Sequence, residues 1–219
     1  MLIAIADILS PRDVADARDT LSRAHFEGGK ATAGWAAKAV KHNLQAAPDA
    51  ALDGLRQMVE ERLRANVTFA LAVRPRHVIG PLFSRYEPGH AYGTHVDDAL
   101  LAGHRSDVSF TLFLSDPDSY DGGELILDTP LGEEAIKLPA GSLFTYPATL
   151  LHRVAPVTRG NRLAAVGWVR SYLREAAQRE LLFELDTARR RIFDREGNTP
   201  DSDLLARCTA NLLRMWCDD

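Results

Sequence analysis

The chain has 219 residues, 46% of them hydrophobic, with 26 Lys and Arg against 30 Asp and Glu and a formal net charge of −4. This length and apolar content are enough to bury a real core, which excludes a disordered chain and is met most simply by one domain with a small appendage. The slight acidity gives no electrostatic reason to expect nucleic acid or an anionic membrane as a general partner.

At the N-terminus, MLIAIADILSPRD lacks a basic leader region and Asp7 breaks its apolar run. Nowhere do the roughly 20 consecutive apolar residues that span a bilayer occur, so the expected setting is the cytoplasm. LIAIA predicts a short strand. SPRDVADARDTLSRA predicts an amphipathic helix, with Ser10 as cap, Pro11 at the first helical position and Val14, Ala17 and Leu21 on one face. A second helix is expected over DAALDGLRQMVEERLRAN, where Leu52, Leu55, Val59 and Leu63 repeat every three to four residues.

Between Asn66 and Tyr172 the texture changes to short β-rich runs: VTFALAV, HVIGPLFSRY, DVSFTLFLS, GELILDT, EAIKLPA, SLFTYP, LHRVAPV and RLAAVGWVRSY. Turn signals such as DPDSYDGG, TPLGEE, PAGS and TRGN separate them. About eight closely spaced strands predict a jelly roll or related barrel, a mainly β fold with flanking helices. After Tyr172 the helical period returns, with Leu173, Ala177, Leu181, Leu185, Ala188 and Ile192 on one stripe. REGNTPDSD then breaks the helix before DLLARCTANLLRMW starts another. The expected organisation is a barrel domain over 1–174, including the N-terminal helices, and a C-terminal helical hairpin over 175–219. The basic run Arg189 to Arg191 reads as a solvated helix face. Cys208 and Cys217, the two cysteines, sit too near the C-terminus to staple the barrel or supply a four-cysteine zinc site, and suit a reducing compartment.

Within YGTHVDDAL, His95 and Asp97 have the same parity. If residues 82 to 97 include a strand, both project from one face, where an imidazole nitrogen and a carboxylate can meet one cation. Such a pair alone is weak; a third ligand is needed. His152, at the start of a late strand, supplies it if the barrel brings early and late strands together. Two histidines and one aspartate form the facial triad of non-haem iron(II), which leaves three coordination positions open. The alternative is a hydrogen-bonded barrel histidine.

Ten residues on, Arg162, Ala164, Val166 and Trp168 alternate onto one face. An inward arginine among apolar residues needs an anion, and its planar fork matches a carboxylate; an internal salt bridge is the competing reading. Tyr86 is placed to donate its hydroxyl to the same acid, and Tyr92 to line a substrate mouth, although either also suits aromatic packing. Asp98 has the wrong parity and reads as rim. His90 and His104 read as loop histidines, and Asp107 as another flanking acid.

The segments TAGWAAKAVKHNLQ, FSRYEPGHAYGTHVDDAL, RSDVSFTLFLSDPDSYDGGELIL and LPAGSLFTYPATLLHRVAPVTRGNRLAAVGWVRS resemble the iron(II)- and 2-oxoglutarate-dependent dioxygenases, specifically the PKHD-type hydroxylases related to prolyl 4-hydroxylase domains. The resemblance spans most of the chain. It implies a double-stranded β-helix, iron ligands at His95, Asp97 and His152, and a 2-oxoglutarate-binding basic residue at Arg162, with Tyr86 near the usual place of a co-substrate tyrosine. It also implies that oxygen converts 2-oxoglutarate to succinate and CO2 while hydrogen is abstracted from an unactivated C–H bond, with ascorbate keeping the iron reduced. Asp97 argues against a halogenase, which needs that coordination position open for halide. The connection DALLAGHRSD is more compact than family members often carry, which bears on substrate contacts rather than on the metal site.

Two other classes fit parts of the sequence. A cupin-like protein sensing iron or a small acid without turnover would use the same ligands, but it gives Arg162 no task. An assembly module would use the hairpin as a homodimer interface, although packing of the hairpin on the barrel explains its apolar stripe more simply. A peptidyl proline, a free amino acid and a siderophore-like molecule all remain open as substrates.

Overall fold

A computed structural model describes every residue except Ala33, Ala36 and Asp219, with backbone only at Ala31 and Thr32. The chain opens with β1 (Ile3–Ile5), α1 (Pro11–Arg23), β2 (Phe26–Gly28), β3 (Lys41–His42), β4 (Leu44–Ala46), α2 (Ala50–Ala65) and α3 (Val67–Val73). The central part holds β5 (Pro75–Tyr86), β6 (Ala91–His95), β7 (Leu100–Leu101), β8 (His104–Arg105), β9 (Val108–Phe113), β10 (Asp121–Gly122), β11 (Leu125–Thr129) and β12 (Gly132–Ile136). It continues through β13 (Leu143–Pro147), β14 (His152–Val154), β15 (Val157–Arg159) and β16 (Arg162–Ser171), and the chain ends in α4 (Ala176–Glu196) and α5 (Pro200–Trp216).

Two antiparallel sheets face each other. The larger has seven strands in the order β1-β13-β9-β16-β5-β4-β2, and the smaller has five in the order β12-β11-β14-β6-β3. The crossing connections make this the jelly-roll arrangement expected from the strand count. Alternation in β9 shows how it is held. Val108, Phe110 and Leu112 join Val14, Leu21, Leu52, Val59 and Leu63 of α1 and α2 in one apolar cluster, whereas Phe113 packs with Leu125 and Leu127 of the smaller sheet. Both faces of β9 are therefore covered and all six of its residues are buried, each large side chain being worth about 1.5–3 kcal/mol relative to exposure.

Both early helices follow the reading from sequence. Ser10 and Asp13 close a capping box on α1, with Pro11 behind it, and Asp49 caps α2. VTFALAV, expected as a strand, is instead helix α3: Asn66 Oδ1 accepts from the Phe69 amide at 2.9 Å, and Phe69, Ala72 and Val73 are buried at helical spacing. With one polar residue in seven, the run carried no period, and the cap with the tertiary contact outweighed its β-branched composition.

The hairpin forms, but on a different face from the one expected. Arg179, Leu182 and Asp186 are its buried residues in α4, while Leu181 is 44% exposed. Polar anchors explain the rotation. Arg179 Nη1 donates to the carbonyls of Leu173 and Arg174 at 2.7 and 2.8 Å, and buried Asp186 pairs with Arg74 at the end of α3 and with Arg189. A reading by apolar period alone misses a seam made of charged side chains. Arg189 thus belongs to the seam, whereas Arg190 and Arg191 are exposed. Among the described residues no helix is long and apolar enough to cross a membrane.

Candidate active site

β6 and β14 are neighbours in the smaller sheet, and His95 and His152 are direct partners across that ladder. Their rings lie 4.2 Å apart. Each Nδ1 faces a backbone carbonyl, His95 that of Gly93 at 2.9 Å and His152 that of Leu150 at 3.0 Å. A carbonyl only accepts, so each Nδ1 carries the proton, which in a neutral ring leaves the lone pair on Nε2. The strand ends at His95, and Asp97 lies just beyond it. Its Oδ2 accepts from Ser109 Oγ on β9 at 2.5 Å, and its Oδ1 is 3.9 Å from His152 Nε2. One ligand atom from each of His95, Asp97 and His152 lies within 4.8 Å of the others, a spacing that one ion can bridge.

The surroundings prepare this trio. Burial pulls His95 down to about 4, His152 adds to the effect, and the Gly93 bond, with Asp97, opposes it. The imidazole is therefore neutral at pH 7, the form that ligates a metal. Tyr92 lies flat on His95, centroids 3.7 Å apart at 15°, and Tyr146 sets its edge against His152 at 5.0 Å.

In the same cavity Arg162, the first residue of β16, pairs across the ladder with Tyr86, the last of β5. Arg162 is 1% exposed, its guanidinium faces the rings of Tyr86 and Phe113 at 5.2 and 5.5 Å, and its Nε and Nη1 have no hydrogen-bond partner. A permanently charged group with two unmet donors calls for an anion, which disfavours the internal salt bridge. Burial pushes Tyr86 up to about 12, against the opposing effects of Arg162 and Asn43, so its hydroxyl keeps its proton. Val166 and Trp168 also line the cavity, and a bulge between them adds Gly167.

The remaining flanking residues sort cleanly. Asp98 is an exposed residue at the cavity edge, the rim position expected of it, although strand parity does not reach it because β6 ends at His95. His90 lies in a loop against His42, its Nδ1 accepting from the Glu87 amide at 3.2 Å. His104 is not in a loop: it stacks on His77 at 4.3 Å from the short β7–β8 hairpin that folds the compact connection. Asp107 is structural, accepting from Arg105 Nε at 2.6 Å and the Ser171 amide at 2.9 Å.

Sequence reasoning missed Ser109, Tyr146 and, from the upstream matching segment, Lys41, Asn43 and Gln45, all of which are buried; Ala33 and Ala36 of that segment lie outside the described residues. Burial lowers Lys41 to about 8, with Asp97 opposing the shift, so its ammonium is still charged at pH 7. The signal was present: polar residues alternate with apolar or unlike neighbours in VSFTLF and in KHNLQ.

The 2OG-Fe(II) oxygenase superfamily matches residues 81–170, and the PKHD-type hydroxylase C-terminal domain matches residues 177–218. The chain is 49% identical to a PKHD-type hydroxylase of Picosynechococcus sp. and 48% identical to one of Maricaulis maris, with 100% of both chains covered in each case. Its fold is similar to that of a Pseudomonas putida prolyl-4-hydroxylase, with a TM-score of 0.53 at 21% identity over 78% of this chain and 92% of that one. A Trichoplax adhaerens prolyl hydroxylase, solved with a hypoxia inducible factor peptide fragment, gives a TM-score of 0.55 at 14% identity over 77% and 82% of the chains. The family's hydroxylases use iron(II) and 2-oxoglutarate. Full-length identity at this level, together with both family matches, shows that the chain belongs to the PKHD-type hydroxylases of the 2OG-Fe(II) oxygenase superfamily and is a 2-oxoglutarate-dependent hydroxylase.

Proposed function

We propose that His95, Asp97 and His152 hold iron(II), that Arg162, assisted by Tyr86, holds the distal carboxylate of 2-oxoglutarate, and that the enzyme hydroxylates an unactivated C–H bond with succinate and CO2 as co-products. The observation that carries this reading is one cavity in which a ligand atom from each of His95, Asp97 and His152 lies within 4.8 Å of the others, together with a buried arginine with two unmet donors. The donor set fits a borderline divalent metal that keeps open positions, and the arginine fits a carboxylate. Ascorbate as the reductant that maintains iron(II), a cytoplasmic setting and a functional division at residues 174/175 belong to the same proposal.

When bound, iron and 2-oxoglutarate supply the oxygen-activating and C–H-cleaving chemistry. The chain supplies position. The carbonyls of Gly93 and Leu150 fix which nitrogen of each histidine faces the metal, and Ser109 holds the Asp97 carboxylate by donating to Oδ2. Arg162 attaches the co-substrate at the end remote from the metal, so that two-point attachment sets its orientation. Tyr86 donates its retained proton to the same carboxylate, while buried Leu125 in the cavity wall and Phe113 against the Arg162 guanidinium exclude water. Purified protein given iron(II), oxygen and labelled 2-oxoglutarate is expected to release labelled succinate. No succinate above a metal-free control sinks the proposal.

A further inference from the structure

The stretch of chain between Asp97 and β9 forms one side of the cavity mouth, where Asp98 and Leu101 line it, Leu101 from β7. The hairpin that carries Leu101 is weak on its own account. β7 and β8 share two residue pairs, Leu100 with Arg105 and Leu101 with His104, and even longer two-stranded hairpins are marginal in water. The turn places Ala102 as well as Gly103 in the left-handed region, at φ of +49° and +78°. A tight two-residue turn needs both angles, but an alanine side chain is strained there. The hold on this hairpin therefore comes from outside it.

Two contacts supply that hold. His104 stacks on His77 of β5 at 4.3 Å, and Arg105 is gripped by two carboxylates, its Nε donating to Asp107 Oδ1 at 2.6 Å and its Nη1 to Asp218 Oδ2 at 3.1 Å. Asp107 belongs to the barrel, since its other oxygen accepts from the Ser171 amide at the end of β16 at 2.9 Å. Asp218 arrives from the C-terminal helical pair, just past α5, and is pinned by its backbone. Its amide donates to the Tyr172 carbonyl at 2.9 Å, and its carbonyl accepts from Arg76 Nη1 at 2.8 Å. The carboxylate is thereby presented to Arg105, with Arg174 Nε 3.8 Å from the same oxygen. Attaching a planar guanidinium at two points fixes its orientation as well as its distance. The Asp218 arm is the more solvent-screened of the two, its side chain being 39% exposed against 5% for Asp107.

We infer that Asp218 is a positioning residue: through Arg105 it fixes the β7–β8 hairpin, and with it Leu101, at the cavity mouth, so that the C-terminal helical pair sets how readily molecules enter and leave the site. The inference rests on the cavity and not on which metal or acid fills it. Hydrogen exchange of the full chain, read by mass spectrometry at low salt, tests it. In Asp218→Asn the amides of residues 99–106 should exchange about three- to fivefold faster, the scale of one partly exposed ion pair. Exchange in α4 and α5, and Tm, should stay at wild-type values, and Asp218→Glu should restore the hairpin. In an Arg105→Gln background Asp218→Asn should add nothing. Raising sodium chloride to about 1 M should bring wild-type exchange over 99–106 close to that of Asp218→Asn while moving the variant little. In the anaerobic cobalt(II)-loaded protein, Asp218→Asn should at least double both the association and the dissociation rate of 2-oxoglutarate and change Kd less than twofold. Wild-type hairpin exchange in Asp218→Asn, an equal rise across α4 and α5, additive effects with Arg105→Gln, or unchanged 2-oxoglutarate rates overturns the inference. A wild-type protein that binds no 2-oxoglutarate overturns the dioxygenase reading instead, and the exchange measurements then decide the inference by themselves.

Discussion

Ser109→Ala removes one hydrogen bond and nothing else of size. Ser109 Oγ donates to Asp97 Oδ2 at 2.5 Å, and the serine is 1% exposed, so no bulk water replaces the lost donor. A hydrogen bond to a charged acceptor is worth about 1.5–3 kcal/mol. At about 1.4 kcal/mol per tenfold, metal affinity should fall by roughly 10- to 100-fold, the range typical when the group orienting a metal ligand is removed. Anaerobic competition of iron(II) or cobalt(II) against a fluorescent chelator measures this directly. Ser171→Ala is the control. Ser171 is equally buried, donating to the Val73 carbonyl at 2.8 Å and accepting from the Leu173 amide at 3.1 Å, at the other end of the sheet from Arg162. It should lower Tm by several degrees through an unmet buried group and leave metal affinity unchanged. Wild-type affinity in Ser109→Ala, or equal weakening in both variants, refutes the reasoning.

Arg162→Met should raise KM for 2-oxoglutarate about 100-fold, with Arg162→Lys intermediate because it keeps the charge and loses the planar fork; steady-state succinate formation checks both, and an unchanged KM counts against the assignment. Leu182, 0% exposed, should cost about 2–5 kcal/mol of unfolding free energy when cut to Ala, whereas Leu181→Ala, at a 44% exposed position, should stay within about 0.5 kcal/mol; chemical denaturation distinguishes them, and the reverse order would restore the stripe expected from sequence. Asp13 is held near 2, below its usual 3.8, chiefly by its hydrogen bond from Arg62, with Ser10 helping and burial opposing. A depressed carboxylate contributes stability above its unfolded value and loses it as pH falls from about 4 to 2, so Asp13→Asn should flatten the acid limb of a Tm-against-pH curve there; an unaltered limb contradicts the pairing.

What could be read from sequence was whatever one period or one spacing encodes. α1 and α2 were legible because cap and apolar face agree, and the trio with Arg162 was legible because the close spacing of His95 and Asp97 and a late-strand histidine constrain each other, although Asp97 lies past the end of the strand that parity assumed. α3 was not, since VTFALAV has too few polar residues to reveal a period and its identity rests on the Asn66 cap and the packing of Phe69. The face of α4 was hidden for a different reason: its seam is anchored by Arg179 and Asp186, and charged residues are read as solvent-facing until a partner such as Arg74 is known. Lys41, Asn43 and Gln45 alternate plainly, but their burial depends on β3 and β4 joining two different sheets at the cavity wall, which short strands do not announce.

The most direct test of the central claim is an anaerobic titration of the purified protein with iron(II) and then 2-oxoglutarate, followed in the visible spectrum. The account predicts a weak charge-transfer band that saturates with one equivalent of each and is absent from His95→Ala and Asp97→Ala, variants that alter two of the three converging ligand atoms. A band of wild-type strength in either variant, or none in the wild type, would contradict it.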